Sequence, residues 1–245
     1  MEGVPDGFFD YSSKIDDNIS KAELNEQQKN YNKVVNGDGE AVYEEKEPSK
    51  LAENEFEELS KALKSGNMSR VMIKELKAGM VEGKYSIEKI DDGSASYKID
   101  IVENGMVKTT VFIDDCGKTV KMEWKVENGG KRGHGYTRIK VPKGTEKGHI
   151  KSIQDGAKDN CIEDSPLNII PQTPVVNDPR IKMFENYRAR ECQGDKVITE
   201  ILSEPKGYVR VKIPNKNIDV TYNPLSEGAK NWPKDWFKKE GKTFD

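Results

Sequence analysis

The sequence predicts an α+β protein organised on an antiparallel β-sheet, and three observations predict it. Apolar residues recur at helical spacing before residue 80, the period changes to alternation beyond Lys84, and turn pairs divide the alternating stretch at even intervals. Those pairs, Asp92-Gly93, Asn104-Gly105, Cys116-Gly117 and Asn128-Gly129, fall twelve residues apart. Asx-Gly pairs favour the positive backbone dihedrals of two-residue hairpin turns, so their regular spacing predicts a meander of about four antiparallel strands.

Residues 1–47 are acidic, rich in Asn, Gln, Glu and Asp, and without sustained periodicity, with Asn36-Gly37-Asp38-Gly39 as a loop marker; they read as a partly disordered linker. From Pro48 a helix is expected, with Ala52, Phe56, Leu59 and Leu63 on one stripe and Gly66 as its stop. A second short helix follows, with Met68, Met72 and Leu76 on its stripe and Gly79 after it. Tyr97, Ile99 and Ile101, then Val120, Met122, Trp124 and Val126, carry the alternation of the sheet. Residues 131–148 are basic and broken by Gly, with Tyr136, Ile139 and Val141 as strand candidates. Three further strands are expected at Val197–Leu202, Tyr208–Ile213 and Ile218–Tyr222, and the tail, with Trp232, Trp236 and Phe237 among lysines, reads as a short amphipathic helix. The domain division expected is 1–80, an acidic linker and helical N-terminal segment, and 81–245, the domain that holds the chemistry.

Of the 245 residues 34% are apolar and 34% charged, too polar for one large core and consistent with part of the chain lying outside it. The net charge of −3 conceals a division. Residues 1–50 hold 12 Asp/Glu against 6 Lys/Arg, whereas residues 131–245 hold 22 Lys/Arg against 16 Asp/Glu. A basic surface raises the local concentration of a polyanion and gains from counterion release when it binds one. Cys116, Cys161 and Cys192 form no CxxC and no zinc spacing, and their positions assign no disulfide. Met1 to Ile15 contain early acids and no long apolar run, which excludes a Sec-type signal, and no later stretch reaches the length of a membrane span.

The chemistry concentrates between Glu146 and Arg190. There are only two histidines, His134 and His149, each preceded by Gly. His134, in Lys131-Arg132-Gly133-His134-Gly135, reads as an ordinary surface residue. His149 closes Glu146-Lys147-Gly148-His149 and is followed at 19 residues by Asn168, then by Ile169-Ile170-Pro171-Gln172, by Asn177 five residues after Gln172, and by Glu185 eight after Asn177. A Gly-His at a strand end, an Asn just before a Pro-started helix and a Glu two turns into it are parts from which a one-metal phosphodiesterase can be assembled.

This ordered set, within residues 108–225, resembles the DNA/RNA non-specific endonucleases of the ββα-metal (His-Me finger) superfamily. The resemblance implies an antiparallel sheet carrying a ββα-metal finger. It makes His149 the general base, a role suited by the ordinary imidazole pKa of about 6.5. Asn177 becomes the ligand of one Mg²⁺ or Mn²⁺ through its amide oxygen, a hard donor for a cation that keeps most of its waters. Glu185 orients those waters, Asn168 holds the finger together internally, and Arg188 contacts substrate. Where the family has Asp-Arg-Gly-His this chain has Glu146-Lys147-Gly148-His149, so Lys147 meets phosphate as a point charge without the bidentate fork of Arg. Asp178-Pro179 stands where the family has a small or Gly residue.

The resemblance implies a metal-dependent endonuclease acting on DNA or RNA with little sequence preference, since nothing in the chain reads bases. It further implies a bacterial toxin module, secreted or delivered into rival cells without a cleaved signal, acting in the cytoplasm, and neutralised by a cognate immunity protein. Two other readings stand beside it. One is a non-catalytic binding module that keeps the fold with a degraded site; the other is a thiol hydrolase pairing Cys161 or Cys192 with His149. Read from residue types alone, Asn177 is a helix cap and Glu185 an exposed helical acid.

Overall fold

The computed structural model describes residues 51–131 and 138–227. The acidic linker, His134, Tyr136 and the aromatic tail lie outside them.

Helix α1, Glu53–Ser65, buries Phe56, Leu59 and Leu63 of the expected stripe, while Ala52 precedes the helix and is exposed. The chain leaves it through a turn in which Asn67 takes φ 70°, while Asn67 N–H donates to Lys64 O and Met68 N–H to Leu63 O. That double closure satisfies the last carbonyls and packs Met68 against the helix it follows. Gly66 therefore sits one residue before the left-handed position, and Met68 is part of the cap, not of the next helix. Helix α2, Arg70–Val81, starts on Ser69, whose hydroxyl accepts from Met72 N–H. Its buried face is Ile73 and Leu76, with Met72 only half-buried. Gly79, expected to follow the helix, lies inside it, because a Cβ there would run into the Tyr85 ring.

The strands are β1 Tyr85–Asp92, β2 Ala95–Glu103, β3 Met106–Ile113, β4 Thr119–Lys125, β5 Glu146–His149, β6 Ile169–Gln172, β7 Lys196–Ile201, β8 Val209–Ile213 and β9 Ile218–Tyr222. Seven of them form one sheet in the order β1-β2-β3-β4-β7-β8-β9, antiparallel throughout, while β5 and β6 form a separate antiparallel pair. The expected meander is present. Its β2–β3 turn is Asn104-Gly105, both at positive φ, 51° and 73°, the two-residue geometry that only Asn, Asp and Gly enter cheaply. Ile99, Ile101, Val111, Ile113, Met122 and Trp124 carry the alternation into the core. Ile139 and Val141 do not form a strand, and the last three strands fall within one residue of their expected bounds.

The sequence division at residue 80 does not hold in space. Leu59 and Leu63 of α1 and Leu76 of α2 belong to the same buried cluster as the sheet residues Ile99, Val111 and Val211, and the compact unit that contains them begins at Glu47. An amphipathic helix shows that it has a partner, not which one. No helix among the described residues is long and apolar enough to cross a membrane.

Strands β4 and β7 are neighbours, with Trp124 opposite Val197, although about seventy residues separate them. The intervening chain makes β5, β6 and helix α3, Lys182–Glu191, and α3 drives Phe184 and Tyr187 into the common core. The segment with the candidate chemistry is thus an insertion between two sheet strands.

Candidate active site

Strand β5 pairs residue by residue with β6: Glu146 faces Gln172, Lys147 Pro171, Gly148 Ile170 and His149 Ile169. Gly148 is required by Gln172, whose fully buried side chain occupies the place a Cβ would take. Gly148→Ala should therefore cost about 1–3 kcal/mol through overpacking, read as a lower thermal midpoint. An unchanged midpoint would show that Gln172 simply moves aside.

Past His149 the chain is held by Asn168. Its Oδ1 accepts from Lys151 N–H at 2.8 Å, and its Nδ2 donates to Lys151 O at 2.9 Å and to Glu163 O at 2.8 Å. With its own carbonyl taking Ile150 N–H, this 0% exposed residue ties the end of β5 to the start of β6. The loop between them is pinned again by the buried Lys151 ammonium on Glu163 Oε1 at 2.6 Å and Thr109 Oγ1 at 3.0 Å. Buried charges that are paired and fully bonded make a rigid connection.

After β6, Thr173 O accepts from the N–H groups of Val176 and Asn177. Asp178 then takes φ −133° and ψ 124°, the extended conformation that a following Pro imposes. The extended residue ahead of the helix is Asp178, so Asn177 is released from a capping role. Instead its Nδ2 donates to Glu146 Oε2 on β5 at 2.8 Å. A carboxylate can only accept, so the amide orientation is fixed and Oδ1 is the end turned away from Glu146.

His149 is half-buried and lines a small cavity with Ile181, Phe184, Arg188 and Tyr222, which brings it beside α3. Glu185, also half-buried, projects its charge on Arg188 and Tyr222. Glu146 and His149 are three residues apart on one strand, roughly 10 Å at strand rise. The Asn177 amide thus meets one end of β5 and His149 the other, with half-buried Lys147 between them.

Arg188 is not placed to touch substrate. It is 3% exposed, and its Nε and Nη2 donate to Asp155 Oδ1 and Oδ2 at 3.1 and 2.5 Å. Asp155 is 0% exposed, and it also accepts from Ser152 Oγ. The carboxylate holds the guanidinium pKa above its ordinary value against the opposing effect of burial. Sequence reasoning missed Asp155 and the role of Glu146. The only local signal was Ser152-x-x-Asp155, the spacing of a capping box.

All three cysteines are free thiols. Burial pushes the Cys161 thiol up to about 12 and Cys192 up to about 11, which disfavours the thiolate that a thiol hydrolase would need. Asp114, Asp115 and Cys116 form the one close acid and thiol group among the described residues. Asp114 Oδ1 there is engaged by the N–H groups of Cys116 and Lys118, which makes the cluster an exposed turn. The Glu146 carboxylate is taken up by the Asn177 amide, which leaves the Asn177 amide oxygen and the Glu185 carboxylate as the donors the resemblance names. Both are oxygen and neither is a thiolate, donor types that suit Mg²⁺ or Mn²⁺. No protein-family model, curated protein or solved structure matches this chain.

Proposed function

We propose that the protein is a metal-dependent endonuclease of the ββα-metal type, hydrolysing the phosphodiester bonds of DNA or RNA without sequence preference. The observation that carries this reading is the Asn177 amide, oriented by Glu146 on the strand that ends in His149. A helix cap would need no such partner 31 residues away. The order strand, strand, helix around these residues supports it.

In this reading water attacks phosphorus and one P–O bond to the sugar breaks. The water's proton passes to a His149 nitrogen, and the departing sugar oxygen takes a proton from solvent. Asn177 and Glu185 would hold a hydrated cation, and Lys147 would set the phosphate against the strand. When bound, the cation supplies neutralisation of charge developing on the phosphate and the leaving oxygen. Glu146 acts through Asn177, keeping the amide oxygen turned outward.

The purified chain is expected to nick and degrade plasmid DNA, or to degrade RNA, with Mg²⁺ or Mn²⁺ and to leave both intact in EDTA. Glu146→Ala should raise the half-saturating cation concentration by about 10–100-fold, the usual effect of removing a group that orients a ligand, and Asn177→Ala by at least as much. Intact nucleic acid under every metal condition would instead support the non-catalytic binding module.

A further inference from the structure

Five buried side-chain atoms have no hydrogen-bond partner among the described residues: Trp124 Nε1, Gln154 Oε1, Gln172 Oε1, Thr199 Oγ1 and Arg180 Nη1. Only the last belongs to a charged group. Arg180 is 6% exposed. Cations on either side of it in the chain do find acids, Lys182 beside Asp178 at 3.8 Å and Arg188 on Asp155. Arg180 takes part in no ion pair among the described residues.

A guanidinium cannot shed its proton, so burial leaves the charge in place, with Nη1 unanswered among the described residues. Such a group is costly unless an anion completes it. Arg188 shows how the fold treats an arginine that belongs to the interior: it provides a buried carboxylate. Among the described residues none is provided for Arg180. Its position supplies the reason. It follows Asp178 and Pro179, where the chain passes from extended to helical, three residues after Asn177 and five before Glu185. The opening turn of a helix is itself favourable for an anion. The planar fork of Arg also matches two phosphate oxygens, a geometry Lys147 cannot offer.

We propose that Arg180 is the oxyanion contact of this site, gripping a phosphate of the nucleic-acid backbone and regaining the bidentate recognition that Lys147 gives up. The identity of the anion rests on the nuclease reading; the existence of an anion site does not.

The test uses the full chain in EDTA, where no metal-dependent cleavage occurs. Thermal unfolding is followed with and without inorganic phosphate, and binding of a short single-stranded DNA oligonucleotide is measured over a series of salt concentrations. Wild type is expected to unfold at a higher temperature in phosphate. Arg180→Met should lose that rise beyond the salt effect common to both proteins and should be no less stable than wild type without phosphate. The salt slope of oligonucleotide binding should fall by about 0.7, the share of one phosphate contact on a single strand. Should Arg180→Met not fold, Arg180→Gln, which keeps a hydrogen-bonding head without the charge, carries the same comparison. A phosphate response equal in wild type and variant overturns the proposal. So does an unchanged salt slope alongside a lost phosphate response, which would make the site one for free phosphate alone. Absence of cleavage with metal would sink the nuclease reading and leave the phosphate comparison standing, so the two failures are separable.

Discussion

Replacing His149 with alanine is expected to lower the rate of nucleic-acid cleavage by about 10²–10⁴-fold, the range for loss of a general base, without unfolding the protein. Strand β5 is held by backbone pairing with β6, and beyond it by Asn168, so the imidazole is not what secures the fold. The residual rate should still require metal, because the Asn177 amide and its Glu146 partner are untouched. His134→Ala is the control, and it should cleave as wild type does. A His149→Ala protein that is folded and fully active would remove the base from the scheme. It would also leave the Asn177–Glu146 bond as a purely structural tie.

The sheet was legible because its signals are local. Asx-Gly turns at twelve-residue spacing and a two-residue alternation are properties of adjacent residues, and Asn104-Gly105 sits where its chemistry demands. Where a residue's role depended on something distant, the sequence misled. Gly79 looked like a helix stop and is an interior contact with Tyr85. The stripes of α1 and α2 were plain, yet the face they cover was not, so they were separated from a sheet with which they share one core. The site divides along the same line. His149, Asn177 and Glu185 are the residues that the resemblance to the nuclease family proposes. The Asn177–Glu146 bond spans 31 residues and the Arg188–Asp155 pair spans 33, and no periodicity reports partners at that range. Arg180 announces itself only by the lack of a partner for Nη1 among the described residues, which is invisible until burial is known.

Arg188→Met should destabilise the protein by about 3–5 kcal/mol, because it strands the Asp155 carboxylate in the interior. For a unit of this size each kcal/mol is worth about 2–4 °C, so the midpoint should fall by roughly 6–20 °C. Asp155→Asn should fall by a comparable amount for the converse reason. The double variant should lose less than the sum of the two, since neither orphaned charge survives in it. Arg188→Lys should lie between, keeping the charge but not the two-point fork. The pair joins the turn that follows the His149 strand to the helix that carries Glu185, so these variants should also lose cleavage at temperatures where they begin to loosen. Had Arg188 met substrate, Arg188→Lys would weaken nucleic-acid binding and leave the melting curve alone. Burial against Asp155 requires the opposite pattern, a shifted melt with oligonucleotide affinity kept in the folded protein, and that contrast separates an arginine that serves the fold from one that serves the ligand.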